Sequence, residues 1–241
     1  MNPRRSLVLA ALAAATALLT LLPATRASSA DAKYEVLRQY DVRVPMRDGV
    51  ELSADVYRPD APGKFPVILM RTPYDNGTPG NIKRGKFWAS RGFVYVLQDV
   101  RGKGESDGVF DPLFHETEDG YDAQTWCGTQ AWSSGKVGTT GGSYLGWTQL
   151  FPAHLNNPHL AVMMPLVAPP DPWKNIPYQD GAVQLSMAAW MANVSGRGQQ
   201  DLTEHDVAAI WKTLPLVDIG SKLGWEFKTW KTWLDHPAVD D

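Results

Sequence analysis

Three long apolar runs constrain the fold of this chain more than any other feature of its sequence. Residues 67–70, 94–97 and 160–167 are almost uninterrupted by polar side chains. Such runs are typical of strands buried on both faces of a parallel sheet, since a strand with one face in water would alternate. Helix-compatible stretches, residues 82–90 and 118–127, lie between the runs. The alternation of strand and helix therefore predicts an α/β fold.

A different pattern precedes the first apolar run. Residues 40–45 and 51–57 alternate apolar and polar side chains, and the Arg-Asp-Gly triplet at 47–49 is a turn sequence between them. Two alternating segments joined by a short turn are typical of a β-hairpin. We therefore predict an antiparallel hairpin at the entrance to a mostly parallel sheet.

The sequence changes character after residue 168. A proline-rich connection leads into tryptophan-rich sequence, in which residues 182–193 and 203–211 have helical patterns and no strand-like run follows. Near the end, four apolar residues recur at the spacing of one helical face. They are Phe227, Trp230, Trp233 and Leu234. These patterns predict a core at residues 31–168 and a helical cap, or part of one, at residues 169–241.

Residues 1–30 have the anatomy of a signal peptide. Arg4 and Arg5 precede an apolar run at residues 7–22, and small residues follow up to Ala30. The run of about 16 residues is shorter than the roughly 20 needed to span a bilayer, so we expect cleavage near Ala30 and no stable membrane anchor. The arginine pair also resembles a twin-arginine export signal. We therefore expect an exported protein, periplasmic or extracellular.

Charge and cysteine content exclude several classes of protein. The net charge of −3 gives no attraction to nucleic acid or acidic lipid. Cys127 is the only cysteine in the sequence, so no intrachain disulfide can form, and its place at a predicted helix end indicates a buried structural role. No cysteine and histidine cluster has metal-ligand spacing. Gly102, Gly104 and Gly108 follow a strand but lead into no helix, so they do not indicate a dinucleotide site. We predict no cofactor and no metal.

The segment 136–146 contains the strongest local signal for catalysis. A short strand pattern runs into Gly141, Gly142 and Ser143 and then into a helix pattern that contains Gly146. A nucleophile elbow needs this order, because glycines beside the serine relieve crowding where the chain turns sharply from strand to helix. The common G-x-S-x-G spacing is not met, since the second glycine falls one position late. The pattern still predicts that Ser143 is an exposed nucleophile, at a helix N-terminus that favours developing negative charge.

Four segments resemble one protein family. Residues 141–149, Gly-Gly-Ser-Tyr-Leu-Gly-Trp-Thr-Gln, resemble the nucleophile region of the cocaine esterase and X-Pro dipeptidyl-peptidase family. Residues 71–75 (Arg-Thr-Pro-Tyr-Asp), 98–108 (with a D-x-R-G motif) and 233–237 (Trp-Leu-Asp-His-Pro) resemble further segments of that family, in the same order. The resemblance implies an α/β-hydrolase core with a helical cap.

The resemblance also implies a mechanism. Ser143 would attack an ester or amide carbonyl and form an acyl-enzyme that water hydrolyses. The hydroxyl of Tyr74 and the backbone N–H of Tyr144 would form the oxyanion hole. The expected substrate is a small-molecule ester or a short peptide such as an X-Pro peptide. Peptidase specificity would need an acidic partner for the substrate amine, and Asp75 and Asp171 are the candidates near the elbow.

The resemblance places the catalytic histidine and its carboxylate after the cap, where neither has a matching position before Asp241. The histidines present fit packing or surface roles better; they are His115, His154, His159, His205 and His236. Asp99, Asp119 and Asp122 fit loop and helix-start positions better than the role of the triad acid.

We therefore expect either a fragment or an enzyme that a C-terminal polypeptide or a second copy of the chain completes. With the C-terminal part of the core missing, an open sheet edge would cause poor solubility or oligomerisation in isolation. The alternative function is a non-catalytic remnant that binds a ligand through its cap.

Overall fold

The centre of the fold is a six-stranded sheet. The computed structural model describes residues 31–171, 174–203, 205–224 and 228–235; the predicted signal segment and His236 lie outside them. The strands are β1 (Val36–Pro45), β2 (Glu51–Pro59), β3 (Phe65–Thr72), β4 (Val94–Asp99), β5 (Ser133–Gly142) and β6 (Leu160–Leu166). Their order across the sheet is β1-β2-β4-β3-β5-β6. β1 and β2 pair antiparallel, as do β2 and β4, while β3, β4, β5 and β6 run parallel. The predicted hairpin and the predicted parallel strands are therefore confirmed.

Three helices connect the parallel strands. They are α1 (Pro79–Ala89) after β3, α2 (Glu116–Thr129) after β4 and α3 (Tyr144–Ala153) after β5. α1 starts where it does because the Thr78 side chain accepts the Asn81 N–H and a proline occupies the first helical position. α2 carries three acidic residues in its first turn, where the helix dipole favours negative charge.

The core lies between the sheet and α2. Its buried side chains come from the central strands, as the long apolar runs predict; among them are Leu52, Val56, Val67, Leu69, Val94, Val96 and Val137. Cys127 packs into the same cluster and is fully buried, which confirms its predicted structural role. Burial raises the pKa of its thiol far above the usual range, so the thiol is not a nucleophile at neutral pH.

Short elements follow β6. They are β7 (Tyr178–Gln179), β8 (Ala182–Val183), α4 (Leu185–Val194), α5 (Val207–Ile210), a 3₁₀ turn (Leu216–Asp218), α6 (Ile219–Leu223) and α7 (Lys228–Asp235). Ala188, Met191 and Ala192 of α4 pack against Ile219 and Trp230 in a second apolar cluster. No helix within the described ranges is long and apolar enough to cross a membrane.

Two predictions for this segment are wrong. The helix predicted at 182–193 begins at Leu185, because Ala182 and Val183 form a small hairpin with β7 around Asp180 and Gly181. Both turn residues have positive φ, the conformation that two-residue hairpin turns favour, and the sequence pattern predicted no strand here.

The helix predicted at 203–211 is the single turn of α5. The Asp201 side chain accepts the Thr203 N–H, and the Asp206 side chain accepts the Ala209 N–H. Aspartate side chains compete in this way with helical backbone bonds, so the helix starts only after Asp206.

The two edges of the sheet differ. The β1 edge carries Arg38 and Arg43, which form ion pairs, and a bulge interrupts its pairing with β2. Charges and bulges protect an edge from pairing with other chains. The β6 edge instead has Val162, Met164 and Leu166 more than half exposed, at 56%, 57% and 57%. Within the described residues no strand pairs with its free side.

Candidate active site

Ser143 lies in a sharp bend between β5 and α3. Its backbone has φ 58° and ψ −125°, a region that non-glycine residues rarely adopt. The Ser143 N–H donates to the Leu166 carbonyl at 2.9 Å, and the Ser143 carbonyl accepts the Gly146 N–H at 2.8 Å. These bonds hold the bend from both sides. The side chain is exposed and borders a cavity, as the elbow pattern predicts.

Two glycines make the bend possible. At Gly141, with φ 143°, a Cβ would lie 2.4 Å from the Cβ of Leu145, which is inside van der Waals contact. At Gly146 a Cβ would lie 2.5 Å from the Cβ of Ala168. The first glycine lets the strand approach the helix, and the second lets the helix approach the chain after β6. The predicted reason for these glycines is confirmed.

Tyr74 lies beside Ser143 at the end of β3. Its N–H donates to Thr72 Oγ1 at 3.0 Å, and two residues later the Asn76 N–H donates to Asp99 Oδ1 at 2.9 Å. The ends of two neighbouring parallel strands thus fix the loop that carries the phenol. Since those ends meet at the same sheet edge as the elbow, Tyr74 and Ser143 are brought together.

The hydroxyl of Tyr74 has two polar neighbours. The Trp190 indole N–H, from α4, donates to the phenol oxygen at 2.9 Å. Ser143 lines the same cavity as Tyr74. Burial raises the pKa of Tyr74, while the side chains of Trp190 and Ser143 lower it and so oppose that rise. The phenol is therefore protonated at neutral pH and can donate its proton to a group in the cavity.

Tyr144 follows Ser143, and its hydroxyl lies in a buried polar cluster. Its hydroxyl donates to Glu116 Oε1 at 2.7 Å and accepts the Leu113 N–H at 3.0 Å. Glu116 Oε2 pairs with Arg71 at 2.6 Å. Burial raises the pKa of Tyr144 well above its usual value, with the Glu116 charge adding to the effect. The backbone N–H of Tyr144 is in the first turn of α3, where no intrahelical acceptor exists.

The cavity at Ser143 is mainly apolar. Its lining residues are Tyr74, Leu113, Ser143, Tyr144, Trp147, Val167, Ile176, Met187, Trp190 and Trp233. None of these carries a carboxylate, an ammonium or an imidazole. The polar groups that face a ligand there are hydroxyls and backbone N–H groups.

The acidic candidates for binding a substrate amine do not line this cavity. Asp75 Oδ1 accepts the Gly77 N–H at 2.6 Å, as in a turn. Asp171 accepts the Lys174 N–H and pairs with the Lys174 ammonium at 3.5 Å. Both carboxylates are engaged in their own loops.

The histidines of the described residues are likewise absent from the cavity lining. His154 Nδ1 contacts the Phe151 carbonyl at 2.8 Å, and His159 Nδ1 contacts the Gly135 carbonyl at 3.0 Å. His115 occupies the position before α2.

The aspartates have structural partners. Asp119 pairs with Arg101 at 2.6 Å, and Asp122 pairs with Arg47 at 2.7 Å. Asp99 is fully buried at the end of β4, and burial raises the pKa of its carboxyl to about 7. Asp119 lies in the first turn of α2, as its predicted helix-start role requires, and Asp122 lies in the following turn. Asp99, predicted to lie in a loop, is instead the last residue of β4.

Sequence reasoning missed two features of this site. Trp190 contacts a residue 116 positions earlier, and no local pattern reports such a partner. The Arg71–Glu116 pair was also missed, although an arginine directly after the apolar run of β3 is a signal that could have prompted a search for a buried partner.

Comparison with known proteins places this arrangement among hydrolases. The family model described as X-Pro dipeptidyl-peptidase (S15 family) matches residues 48–241. The chain is 42% identical over 123 residues to cocaine esterase from Rhodococcus sp. (strain MB1 Bresler), which covers 49% of this chain and 21% of the esterase.

Two solved structures share the fold. An α-amino acid ester hydrolase superposes with a TM-score of 0.67 and 26% identity, over 91% of this chain and 41% of that one. A CocE/NonD family hydrolase from Staphylococcus aureus superposes with a TM-score of 0.63 and 27% identity, over 86% and 37%. These matches confirm the α/β-hydrolase fold. The chain spans less than half the length of each of these relatives.

Proposed function

The chain belongs to the X-Pro dipeptidyl-peptidase (S15) family, and on that premise we propose that it is a serine hydrolase that forms an acyl-enzyme on Ser143. The observation that carries the proposal is the position of this serine. It lies exposed in a strained strand-to-helix bend and borders a cavity that a protonated phenol, Tyr74, also lines. Strained backbone at an exposed nucleophilic side chain is typical of a catalytic site.

The proposed reaction begins when Ser143 Oγ bonds to the carbonyl carbon and the carbonyl π electrons move to oxygen. The resulting oxyanion accepts hydrogen bonds from the Tyr74 hydroxyl and the Tyr144 backbone N–H. Because the Trp190 indole already donates to the phenol oxygen, the phenol proton is left for the oxyanion. Collapse of the intermediate expels an alcohol or amine, and water then hydrolyses the acyl-enzyme.

The proton of Ser143 needs an acceptor, and no imidazole lines the cavity among the described residues. We propose that a polypeptide segment outside those residues supplies the histidine and its carboxylate. The exposed β6 edge, with Met164 and Leu166 uncovered beside the elbow, is the surface that such a segment would pair with. The segment belongs either to the same polypeptide or to a complementing partner.

The lining of the cavity favours an ester over an X-Pro peptide. Among the described residues of the lining, a free substrate ammonium would meet no carboxylate to offset its lost hydration, which costs free energy. Trp147, Met187 and Trp190 instead offer apolar and aromatic surface to an uncharged acyl group. We also propose export of the protein, on the signal-peptide pattern of residues 1–30.

A fluorophosphonate probe tests the proposal, with Ser143→Ala compared against the exposed control Ser134→Ala. We expect labelling of wild type and of the control, loss of labelling in Ser143→Ala, and a fall in ester hydrolysis of at least about 10³-fold. The measurements are labelling in gel and hydrolysis of p-nitrophenyl esters against an X-Pro p-nitroanilide. A folded wild-type protein that neither labels nor hydrolyses, even together with the segment that supplies the histidine, would refute the enzyme and favour a binding remnant.

A further inference from the structure

A buried lysine joins the loop after β4 to the end of α4. Lys103 has no exposed surface, and its ammonium donates to the carbonyls of Val194 at 2.9 Å and Gly196 at 2.7 Å, with Gly198 at 3.5 Å. The Phe110 ring lies 5.0 Å from the same nitrogen. A lysine is rarely buried in this way, because its ammonium loses its hydration shell. Carbonyls at a helix C-terminus, which have no intrahelical donor and carry the negative end of the dipole, compensate for that loss.

The two loops also hold each other through a second set of bonds. The Gly104 N–H donates to the Arg197 carbonyl at 3.0 Å, while the Arg197 guanidinium donates to the carbonyls of Gly104 at 3.1 Å and Ser106 at 2.6 Å. Gly104 has φ 49°, and a Cβ there would lie 2.0 Å from Asp99 Oδ2. The buried end of β4 therefore fixes the conformation of this loop. The loop in turn holds residues 194–198 through its hydrogen bonds.

The same helix carries the indole that contacts the oxyanion donor. Trp190 lies four residues before Val194, so both side chains lie on one face of α4. That face packs with Val100, Phe110 and Tyr144, and the Trp190 ring stacks on Tyr144 with centroids 5.6 Å apart. The opposite face packs in the second apolar cluster with α6 and α7. A shift of the helix end at Val194 would therefore move the indole relative to the sheet.

We propose that Lys103 is a positioning residue for the oxyanion donor, acting through the C-terminus of α4 and the Trp190–Tyr74 hydrogen bond. The inference rests on the proposed hydrolase function of Ser143. Lys103 touches neither substrate nor reacting atoms. Its ammonium fixes the position of the C-terminal end of α4 relative to the sheet. The Trp190 indole, which α4 carries, then orients the Tyr74 hydroxyl.

The first test is a double-mutant cycle with Lys103→Met and Tyr74→Phe, read as the rate of fluorophosphonate labelling of the full chain. A misplacement of the order of an ångström at a reacting group has large kinetic effects, so we expect Lys103→Met to slow labelling by about tenfold in wild type. In the Tyr74→Phe background the same substitution should slow labelling less than about twofold, because the group it positions is gone. Equal losses in both backgrounds would show a general structural role and overturn the proposal.

A second measurement does not depend on activity. Hydrogen–deuterium exchange should rise in Lys103→Met both at residues 194–198 and at residues 72–78, while the exposed control Lys64→Met should leave both unchanged. Faster exchange at 194–198 with none at 72–78 would show that the lysine holds α4 without positioning Tyr74, and would refute the proposal even if Ser143 proves inert. If Lys103→Met does not fold, Arg197→Met replaces it in this measurement, because Arg197 is exposed and its substitution leaves no buried charge. We expect Arg197→Met to give a smaller rise in exchange at the same two segments.

Discussion

Two tyrosines border Ser143, and they belong to regions that differ in how their polar groups are satisfied. Tyr144 lies beneath the serine in a buried floor, where its hydroxyl donates to Glu116 and accepts from the backbone of Leu113. Tyr74 lies in the wall between the sheet and α4, where its oxygen accepts from Trp190 and the residue lines the cavity. In the floor, the hydroxyl of Tyr144 already donates one hydrogen bond and accepts another, so it has none to offer a ligand. In the wall, the hydroxyl of Tyr74 accepts from Trp190 and can still donate to a ligand.

This difference shows that surroundings, not residue type, decide what a hydroxyl does at this site. A buried cluster, in which the hydroxyl of Tyr144 and both carboxylate oxygens of Glu116 are saturated, holds the elbow in place, and its bonds contribute to folding. A donor without an acceptor at a half-buried surface, such as the Tyr74 hydroxyl, can instead stabilise the oxyanion that forms during the reaction. Substitutions in the floor should therefore change the free energy of unfolding, and substitutions in the wall should change a rate.

The largest expected effect is in the floor, for Glu116→Gln. Both carboxylate oxygens of Glu116 accept from donors, Tyr144 and Arg71, so an amide nitrogen in either place would face another donor. The Arg71 guanidinium would keep only the more distant carboxylate of Asp119, at 3.9 Å, as a charged partner. The pair is almost fully buried, with exposed fractions of 2% and 5%. Breaking a buried pair from one side costs about 3–5 kcal/mol.

Urea unfolding measures this loss. Glu118→Gln, in the same first turn of α2 but exposed, is the matched control and should change the free energy of unfolding by less than about 0.5 kcal/mol. Equal stability of the two variants would contradict the description of the floor as a buried cluster in which Glu116 is saturated.

The next effect is in the wall, for Tyr74→Phe. Loss of one oxyanion donor raises the activation free energy by about 2.7–4 kcal/mol, a fall of roughly 10²–10³-fold in kcat. Stability should fall by about 1 kcal/mol, because the Trp190 indole lies at a half-buried surface that water can reach. Steady-state kinetics with an ester, beside urea unfolding, separates the two quantities. An unchanged kcat with a large loss in the free energy of unfolding would show that Tyr74, like Tyr144, has a structural role only.

Patterns along the sequence predict the strands and the elbow better than the contacts of the wall. The strands β3 and β4 follow from apolar runs because burial on both faces leaves a mark on every residue of a strand. β6 also follows from its apolar run, although three of its side chains are more than half exposed. The elbow follows from Gly141 and Gly146, because a sharp bend excludes a Cβ at those two positions. Both signals are local, so a single sequence contains them.

The wall depends on contacts between distant parts of the chain. Trp190 meets Tyr74 across 116 positions, and Lys103 reaches Val194 across 91. Nothing near either residue reports its partner. The aspartates at 201 and 206 shorten a helix by accepting backbone N–H groups, and a hydrophobic period does not record that competition. Long-range contacts and side-chain hydrogen bonds of this kind explain why the sequence patterns did not predict the contacts of the wall or the length of α5.

The smallest effect tests the comparison most directly, since Tyr144→Phe removes the same atom from the other tyrosine. The Leu113 N–H would lose its acceptor and Glu116 one of its two donors, so we expect a loss of about 1–3 kcal/mol in the free energy of unfolding. The rate of ester hydrolysis should stay within about twofold of wild type, because Tyr144 contributes its backbone N–H to the oxyanion, and that group remains. Kinetics at a temperature well below the unfolding midpoint, with urea unfolding on the same preparation, measures both. A large fall in kcat without a loss of stability would mean that the floor itself carries chemistry, and the distinction between the two tyrosines would fail.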